Sequence, residues 1–193
     1  MGIEFELKYA ATPEILARLR KDLGQPHATI CMQTTYYDTP SGTLSALRCT
    51  LRQRRENGIC VTTMKAPLEG NARGEWECVC DCLEEAVSRL CGMGAPKILR
   101  VAQAEGFAAV CGAEFTRQSY LLSTADGSAE LALDEGRLVG GGKELPLWEI
   151  EVEHKTGSLE DTIVLAQTIK EKYGLCPEHF SKFQRAKGLA EGV

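Results

Sequence analysis

The chain has 193 residues, of which 44% are hydrophobic and 25% are charged, and its formal net charge is −5 at pH 7. This length and composition suit one packed globular domain, which we assign to residues 1–193. The acidic balance provides no long-range attraction to nucleic acid or anionic lipid, and no apolar run reaches the roughly 20 residues of a membrane helix. We therefore expect neither a nucleic-acid partner nor a membrane partner, and a monomer or a homodimer.

The cysteines indicate a reducing compartment. The chain has 9 of them, an odd number, and no two have Cys-x-x-Cys spacing. The charged N-terminus is unlike a signal peptide, so we expect free thiols and a cytoplasmic location. Cys78, Cys80 and Cys82 alternate along one predicted strand. We expect them to pack in the core and to bind no metal.

Period-2 patterning and turn residues predict strands along most of the chain. The predicted strands are 3–9, 29–37, 47–55, 60–66, 74–82, 115–123, 128–135 and 147–154. The predicted helices are 13–23, 84–92, 97–111, 158–173 and a last one beginning near 178. Thr12-Pro13 and Ser158 cap the first and fourth helices, and the run at 140–142 predicts a loop between strands. Because most strands follow one another directly, with the helices grouped between them, we predict an antiparallel α+β fold.

Charged residues occupy one face of nearly every predicted strand. These charged positions are Glu4, Glu6, Lys8, Arg48, Arg52, Arg54, Lys65, Glu75, Glu77, Arg117, Glu130, Asp134, Glu149, Glu151 and Glu153. Each strand taken alone could simply have a dry side and a solvated side. Runs of like charge on one face are destabilising, however. Since an eight-stranded barrel encloses room for one small ligand, we predict a closed barrel with the charged faces inside.

Such an interior needs a ligand that carries charges of both signs. Buried charges have to pair or to bind something, and pairing alone is a weak reason to keep them because apolar residues are often as stable. Arg and Lys bind phosphoryl oxygens, and Mg²⁺ or Mn²⁺ bind carboxylate oxygens. The three histidines, His27, His154 and His179, follow no ligand spacing, which argues against zinc. The pattern therefore predicts a polyphosphate bound with a divalent cation.

Several motifs resemble those of the CYTH domain, or triphosphate tunnel metalloenzyme, superfamily. They are Glu4 to Lys8 (Glu-x-Glu-x-Lys), Tyr36 to Pro40, Leu51 to Arg54, Met64-Lys65, Glu75 to Glu77, Leu133 to Gly136, Trp148 to Glu153, and Ser181-Lys182-Phe183. They follow the family's order over essentially the whole chain, and they resemble the bacterial inorganic triphosphatases most. The resemblance implies a closed eight-stranded antiparallel β-barrel, or tunnel, with flanking helices and a C-terminal helix that covers one mouth.

The resemblance also implies a role for each charged position. The implied metal ligands are Glu4, Glu6, Glu149 and Glu151. The implied phosphate-binding residues are Lys8, Arg52, Arg54, Lys65, Arg117 and Lys182. Of these two sets, the expected catalytic residues are Glu4, Glu6, Lys8, Arg52, Arg54 and Lys65. The residues expected to orient the phosphate-binding groups or a second metal are Glu75, Glu77, Glu130, Asp134 and Glu153.

The expected reaction is hydrolysis of inorganic triphosphate to pyrophosphate and phosphate. It would depend on Mg²⁺ or Mn²⁺, with in-line attack by water and no protein nucleophile. A class IV adenylyl cyclase and a thiamine or nucleoside triphosphatase are alternatives within the same superfamily. A non-catalytic polyphosphate-binding module is an alternative of a different class. The sequence does not choose between Mg²⁺ and Mn²⁺, nor does it give the number of metal ions.

Overall fold

The computed structural model describes residues 2–3, 5–68 and 73–192, with only the backbone at 2–3. Glu4 lies outside the described residues. The strands are β1 (Gly2–Ile3), β2 (Glu6–Ala10), β3 (Ala28–Asp38), β4 (Thr50–Glu56), β5 (Ile59–Pro67), β6 (Arg73–Val79), β7 (Ala108–Ser123), β8 (Ser128–Gly140), β9 (Lys143–Thr156) and β10 (Cys176–Pro177). The helices are α1 (Pro13–Leu23), α2 (Thr43–Ala46), α3 (Leu83–Gly92), α4 (Ile98–Glu105), α5 (Leu159–Tyr173) and α6 (Lys182–Glu191).

The described strands form one sheet, in the order β1-β6-β5-β4-β3-β7-β8-β9-β2-β10. β1 and β2 are consecutive in the chain, yet β1 pairs with β6 and β2 pairs with β9, near opposite ends of this order. The N-terminal segment therefore connects the two ends of the sheet, as a tunnel requires. Among the described residues the ladder itself is not closed by hydrogen bonds. The predicted antiparallel sheet with flanking helices is confirmed.

The largest boundary error is the predicted helix at 97–111. α4 ends at Glu105, and Gly106, with φ +88°, forms its C-cap. β7 begins at Ala108, well before the predicted start at 115. The intervening run is rich in small residues, so its helical and strand periods are hard to tell apart. Cys111, Ala113 and Phe115 are buried at alternate positions, which is the strand pattern.

Two turns set other boundaries that the sequence placed differently. β8 and β9 extend to a two-residue hairpin at Gly141 and Gly142, with φ of +58° and +74°, as a type I′ turn requires. β4 begins at Thr50 and not at 47, since Arg48 has a left-handed φ of +56°. The last helix begins at Lys182 and not near 178, because the side chain of Ser181 caps it.

The helices cover the outer face of the sheet in two groups. α1 and α5 pack over β2, β8 and β9, and α2, α3 and α4 pack over β4, β5 and β6. The buried residues of the first group include Tyr9, Leu16, Leu19, Leu131, Leu133, Ile150 and Val152. Those of the second group include Leu44, Leu51, Met64, Trp76, Val87, Leu90 and Leu99. In β2, β4, β5, β6, β8 and β9 an apolar side thus faces these helices, so the charged side faces inward.

A third apolar cluster lies on the inner face and involves α6. Phe183 and Ala186 of α6 pack with a set of strand residues at one end of the sheet. These are Met32, Tyr36, Cys111, Ala113, Phe115, Leu138 and Leu147. Phe115 shares its face with Arg117, two residues on, so α6 enters the face that carries the charges. The C-terminal helix therefore covers one mouth, as the resemblance implied.

Cysteine packing differs from the expectation at one position. Cys80 is buried and Cys78 is half-buried against α3, but Cys82 is exposed. β6 ends at Val79, so the strand alternation does not extend to Cys82, whose Sγ lies 3.3 Å from Glu84 Oε2. The expectation of core packing is wrong for Cys82. All described cysteines are free thiols.

None of the described helices has both the length and the apolar character needed to cross a membrane.

Candidate active site

The register of β2, β9 and β8 brings carboxylates from three strands onto the inner face. Glu6 lies opposite Glu153, and Glu153 lies opposite Glu130. One step along, Lys8 lies opposite Glu151. Directly opposed residues of an antiparallel pair share a face, with Cβ atoms about 5 Å apart. Glu6, Glu153 and Glu130 therefore form a row of acidic side chains across the inner face.

Asp134, Glu149 and Glu151 form a second acidic group, which we call the acidic trio. Asp134 and Glu149 have no exposed surface and Glu151 is 7% exposed. One carboxylate oxygen from each lies within 4.8 Å of the other two. Such a concentration of buried negative charge requires cations close by.

Lys182, in the first turn of α6, is the central cation of the acidic trio. Its Nζ lies 2.8 Å from both Asp134 and Glu151 and also contacts Glu149. Ser181 caps the helix with Gln184 in a reciprocal capping box, which fixes the start of α6. The cap thus places the ammonium group of Lys182 among the three carboxylates.

Two arginines complete the neutralisation of the acidic trio. Arg117 of β7 donates from Nε and Nη2 to the two oxygens of Asp134, at 2.8 and 2.7 Å, and also contacts Glu151. Arg185 of α6 contacts Glu149. The forked contact with Asp134 is the strong bidentate arrangement of arginine with a carboxylate.

The two glutamates of the acidic trio have opposite acidities. Burial raises the pKa of the Glu149 carboxyl to about 7, against the lowering effect of Lys182. Burial also acts to raise the pKa of Glu151, but Lys182 and Arg117 outweigh it and hold that pKa well below its usual range. Glu151 therefore stays ionised, and Glu149 takes up a proton first as the pH falls.

Arg52, Arg54 and Lys65 line the inner face on β4 and β5. Lys65 Nζ lies 3.4 Å from Glu75 Oε1, and Arg52 Nη2 lies 3.8 Å from the same oxygen. Arg54 pairs with Glu56 at 2.5 Å. Burial lowers the pKa of Arg54, and the positive charges of Arg52 and Arg117 lower it further against the effect of Glu56. The positive charges around Arg54 are therefore not fully balanced by its pairing with Glu56.

The remaining predicted residues lie around these groups. Glu130 accepts a hydrogen bond from Ser119 Oγ at 3.3 Å, and Glu153 pairs with Lys155 at 2.8 Å. Lys8 Nζ lies 3.7 Å from Glu6 Oε1. Glu77 is on the inner face but is exposed to solvent.

Arg185 is the main site residue that the sequence reasoning missed. It lies one helical turn after Lys182, and its Nη1 also reaches Glu178 at 3.5 Å. Residues three apart on a helix share a face, so the spacing of Lys182 and Arg185 was an available signal. Lys155 was also missed, although it continues the strand alternation of Glu149, Glu151 and Glu153.

A comparison with protein-family models matches residues 2–186 to the CYTH domain. An inorganic triphosphatase of Haemophilus influenzae is 24% identical over 190 residues, which cover 95% of this chain and 53% of that protein. The chain thus spans about half the length of this curated relative.

Two solved structures resemble the fold. A candidate adenylate cyclase from Bacillus halodurans superposes with a TM-score of 0.70 at 21% identity, covering 95% of this chain and 96% of that one. A candidate adenylyl cyclase from Hippeastrum with a dominant triphosphatase activity superposes with a TM-score of 0.64 at 24% identity, covering 97% and 96%. At these identities the likeness concerns the fold alone.

Proposed function

The chain belongs to the CYTH domain family, and on this premise we propose that it hydrolyses inorganic triphosphate to pyrophosphate and phosphate with Mg²⁺ or Mn²⁺. The observation that carries the proposal is the meeting of two charge sets on one inner face. Arg117 of β7 contacts Asp134 of β8 and Glu151 of β9, and Arg54 of β4 is near enough to Arg117 for that charge to lower its pKa. The Haemophilus relative is an inorganic triphosphatase, which favours this substrate.

The proposed phosphate-binding residues are Lys8, Arg52, Arg54, Lys65, Arg117 and Lys182. Arg54 has Glu56 as its acidic partner, but burial and the positive charges of Arg52 and Arg117 outweigh this pairing and lower its pKa, which leaves an imbalance of positive charge around the guanidinium. A polyanion placed there would relieve this imbalance, and guanidinium groups bind phosphate oxygens bidentately. As the phosphoanhydride bond breaks, charge gathers on the leaving pyrophosphate, where these cations would stabilise it.

The carboxylates of the inner face fit a hard divalent cation, since all their donor atoms are oxygens. We propose that Glu4, Glu6, Glu149 and Glu151 hold it. When bound, a divalent cation would offset phosphate charge and lower the pKa of the attacking water. Glu75, Glu77, Glu130, Asp134 and Glu153 would orient these groups. Lys182 Nζ now lies among the acidic trio, so it would have to leave that position for the trio to bind a cation.

A comparison of substrates tests the reaction. The purified chain is incubated with inorganic triphosphate, ATP or thiamine triphosphate, with Mg²⁺, with Mn²⁺ or with EDTA, and released phosphate and cyclic AMP are measured. We expect phosphate release to be fastest from inorganic triphosphate and to stop in EDTA. Cyclic AMP as the main product from ATP would instead identify a cyclase. Binding without turnover of any of the three would identify a polyphosphate-binding module.

A pair of variants separates the metal ligands from the phosphate-binding residues. For Glu151→Gln we expect a steep loss of rate at low Mg²⁺ and partial recovery as Mg²⁺ or Mn²⁺ is raised. Arg52→Ala removes a charge-assisted phosphate contact and should lower kcat/KM by about ten- to hundred-fold at every metal concentration. Arg52→Lys should restore little, because an ammonium group cannot reproduce the planar fork. If both variants are equally insensitive to metal, Glu151 does not hold a catalytic ion.

A further inference from the structure

Two side-chain polar atoms on the inner face of β4 and β5 are buried without a hydrogen-bond partner among the described residues. They are the hydroxyl oxygen of Thr63 and Nε of Arg52. Thr63 is 1% exposed, so bulk water does not reach its hydroxyl in this conformation. A buried donor left unpaired costs free energy, and native proteins seldom keep one without a reason.

The two atoms belong to one row of the sheet. Arg52 of β4 lies directly opposite Thr63 of β5, so the side chains share the inner face. Lys65, two residues after Thr63, extends to the same side. Arg52 Nη2 lies 3.8 Å from Oε1 of Glu75, which is beyond hydrogen-bond distance. Glu77 lies directly opposite Thr63 on β6, yet among the described residues neither the Thr63 hydroxyl nor Arg52 Nε makes a hydrogen bond.

The preceding residue shows that this feature is specific to the inner face. Thr62 is fully buried on the outer face of the same strand. Its hydroxyl accepts a hydrogen bond from Gln53 Nε2 at 3.2 Å and donates to the carbonyl oxygen of Cys80 at 3.4 Å. A threonine hydroxyl is therefore hydrogen-bonded on the outer face of this strand and unpaired on its inner face.

We propose that Thr63 Oγ1 and Arg52 Nε donate to one non-bridging oxygen of a bound polyphosphate, which makes Thr63 a substrate-binding residue. This inference rests on the proposed function for the identity of the ligand. A phosphate oxygen accepts several hydrogen bonds at once. The hydroxyl adds a contact without adding positive charge, which suits a position between Arg52 and Lys65, close to Arg54.

Direct binding without turnover tests the subsite. Inorganic triphosphate is titrated calorimetrically in EDTA into the wild type, Thr63→Val, Thr63→Ser and the matched control Thr62→Val. We expect Thr63→Val to weaken the affinity about tenfold or more, as for the loss of a hydrogen bond to a charged group. Thr63→Ser should bind like the wild type because it keeps the hydroxyl, and Thr62→Val should also bind like the wild type.

Thermal unfolding without ligand gives a second readout, in which Thr62→Val and not Thr63→Val should be the impaired variant. Thr63→Val removes an unpaired buried hydroxyl and keeps the shape of the side chain, so its midpoint should equal or exceed that of the wild type. Thr62→Val breaks two hydrogen bonds, so its midpoint should fall. A Thr63→Val variant that is destabilised as much as Thr62→Val would overturn the proposal, because its hydroxyl would then be paired in the free protein.

The outcomes also separate this inference from the proposed function. If the wild type releases phosphate but Thr63→Val binds triphosphate as tightly as the wild type, the subsite is wrong and the activity stands. If triphosphate binds in a Thr63-dependent manner but is not hydrolysed with Mg²⁺ or Mn²⁺, the activity is wrong and the subsite stands. A wild type that neither binds triphosphate in EDTA nor hydrolyses it with Mg²⁺ or Mn²⁺ contradicts both.

Discussion

At the scale of single residues, the position of a carboxylate in the strand ladder decides which cations it contacts and whether its pKa is raised or lowered. Glu149 and Glu151 are two residues apart on one face of β9, yet their surroundings differ. Glu151 contacts Arg117 and Lys182, whereas Glu149 is fully buried and contacts Arg185 and Lys182. Burial raises the pKa of Glu149 to about 7, and the pKa of Glu151 lies well below its ordinary value. The acidic trio therefore contains one carboxyl that titrates near neutral pH.

This difference predicts how stability depends on pH in metal-free buffer. The pKa of Glu149 is raised from an ordinary 4.5 to about 7 in the folded chain. Between these values the folded state binds more protons than the unfolded state, so the contribution of Glu149 to the free energy of unfolding falls as the pH rises. Glu149→Gln removes this decline, which is on the order of 1–3 kcal/mol. Urea unfolding at intervals from pH 5 to pH 8 measures it.

Glu151→Gln should change the same curve in the opposite sense. The depressed pKa of Glu151 gives stability that is present above the ordinary pKa of glutamate and is lost as the pH falls through the folded value. Removing the carboxylate therefore lowers stability over the whole range from pH 5 to pH 8. Parallel curves for the wild type and Glu149→Gln would contradict the assignment of the titrating group to Glu149.

At the scale of elements, α6 is positioned by a close approach to β8. A Cβ atom on Gly140 would lie 2.1 Å from the carbonyl oxygen of Ala186 in α6. Real side chains do not tolerate that distance, so glycine is what permits the helix to contact the strand. Because Lys182 and Arg185 belong to this helix, the same contact places both cations at the acidic trio.

Gly140→Ala is therefore expected to push α6 away from the sheet. We expect a loss of about 1–3 kcal/mol in the free energy of unfolding, as for other overpacked sites. We also expect faster amide exchange in residues 182–191 and slower triphosphate hydrolysis. Exchange measured by mass spectrometry and urea unfolding provide the readouts.

Gly92→Ala is the matched control for this variant. Gly92 is the last residue of α3, and nothing lies within 4 Å of an added Cβ. We expect its exchange in α6 and its activity to match those of the wild type. Unchanged exchange of 182–191 in Gly140→Ala would show that the contact with Ala186 does not position the helix.

At the scale of the whole molecule, the apolar core under the helices and the proposed site lie on opposite sides of one sheet. The outer faces of the strands bury leucine, isoleucine and aromatic side chains under helices. The inner face carries the charges and is covered by α6 at one mouth. Apolar burial against helices supplies the stability of such a sheet, so the inner face can carry charges that do not by themselves stabilise the fold.

Two substitutions on opposite faces of the sheet test this division. Leu131 is fully buried under helices, so Leu131→Ala should lower the free energy of unfolding by about 2–5 kcal/mol. Lys8 Nζ is 3.7 Å from its acidic neighbour Glu6 in a partly exposed setting, so Lys8→Met should change stability by less than about 1 kcal/mol. It should nevertheless lower kcat/KM by about ten- to hundred-fold. Urea unfolding and initial rates measure both, and a Lys8→Met variant of normal activity would remove Lys8 from the site.

The sequence by itself determined which faces of the strands carry the charged residues. Alternation along Glu4 to Lys8 and along Trp148 to Glu153 separates charged from apolar sides, because successive strand residues point to opposite faces. The caps at Thr12 and Ser158 were also local signals, and both hold in the structure. Local chemistry sufficed wherever a feature depends on residues that are close in the chain.

The tertiary structure decided which residues meet. Register, which depends on pairing between distant strands, places Glu6 opposite Glu153. Docking of α6 brings Arg185 to Glu149, which no strand alternation could reveal. The same holds for Thr62 and Thr63, identical neighbours that differ only in what lies across from each face. Alternation fixes the direction of a side chain, but its partners are set by contacts between segments far apart in the sequence, and those exist only once the chain is folded.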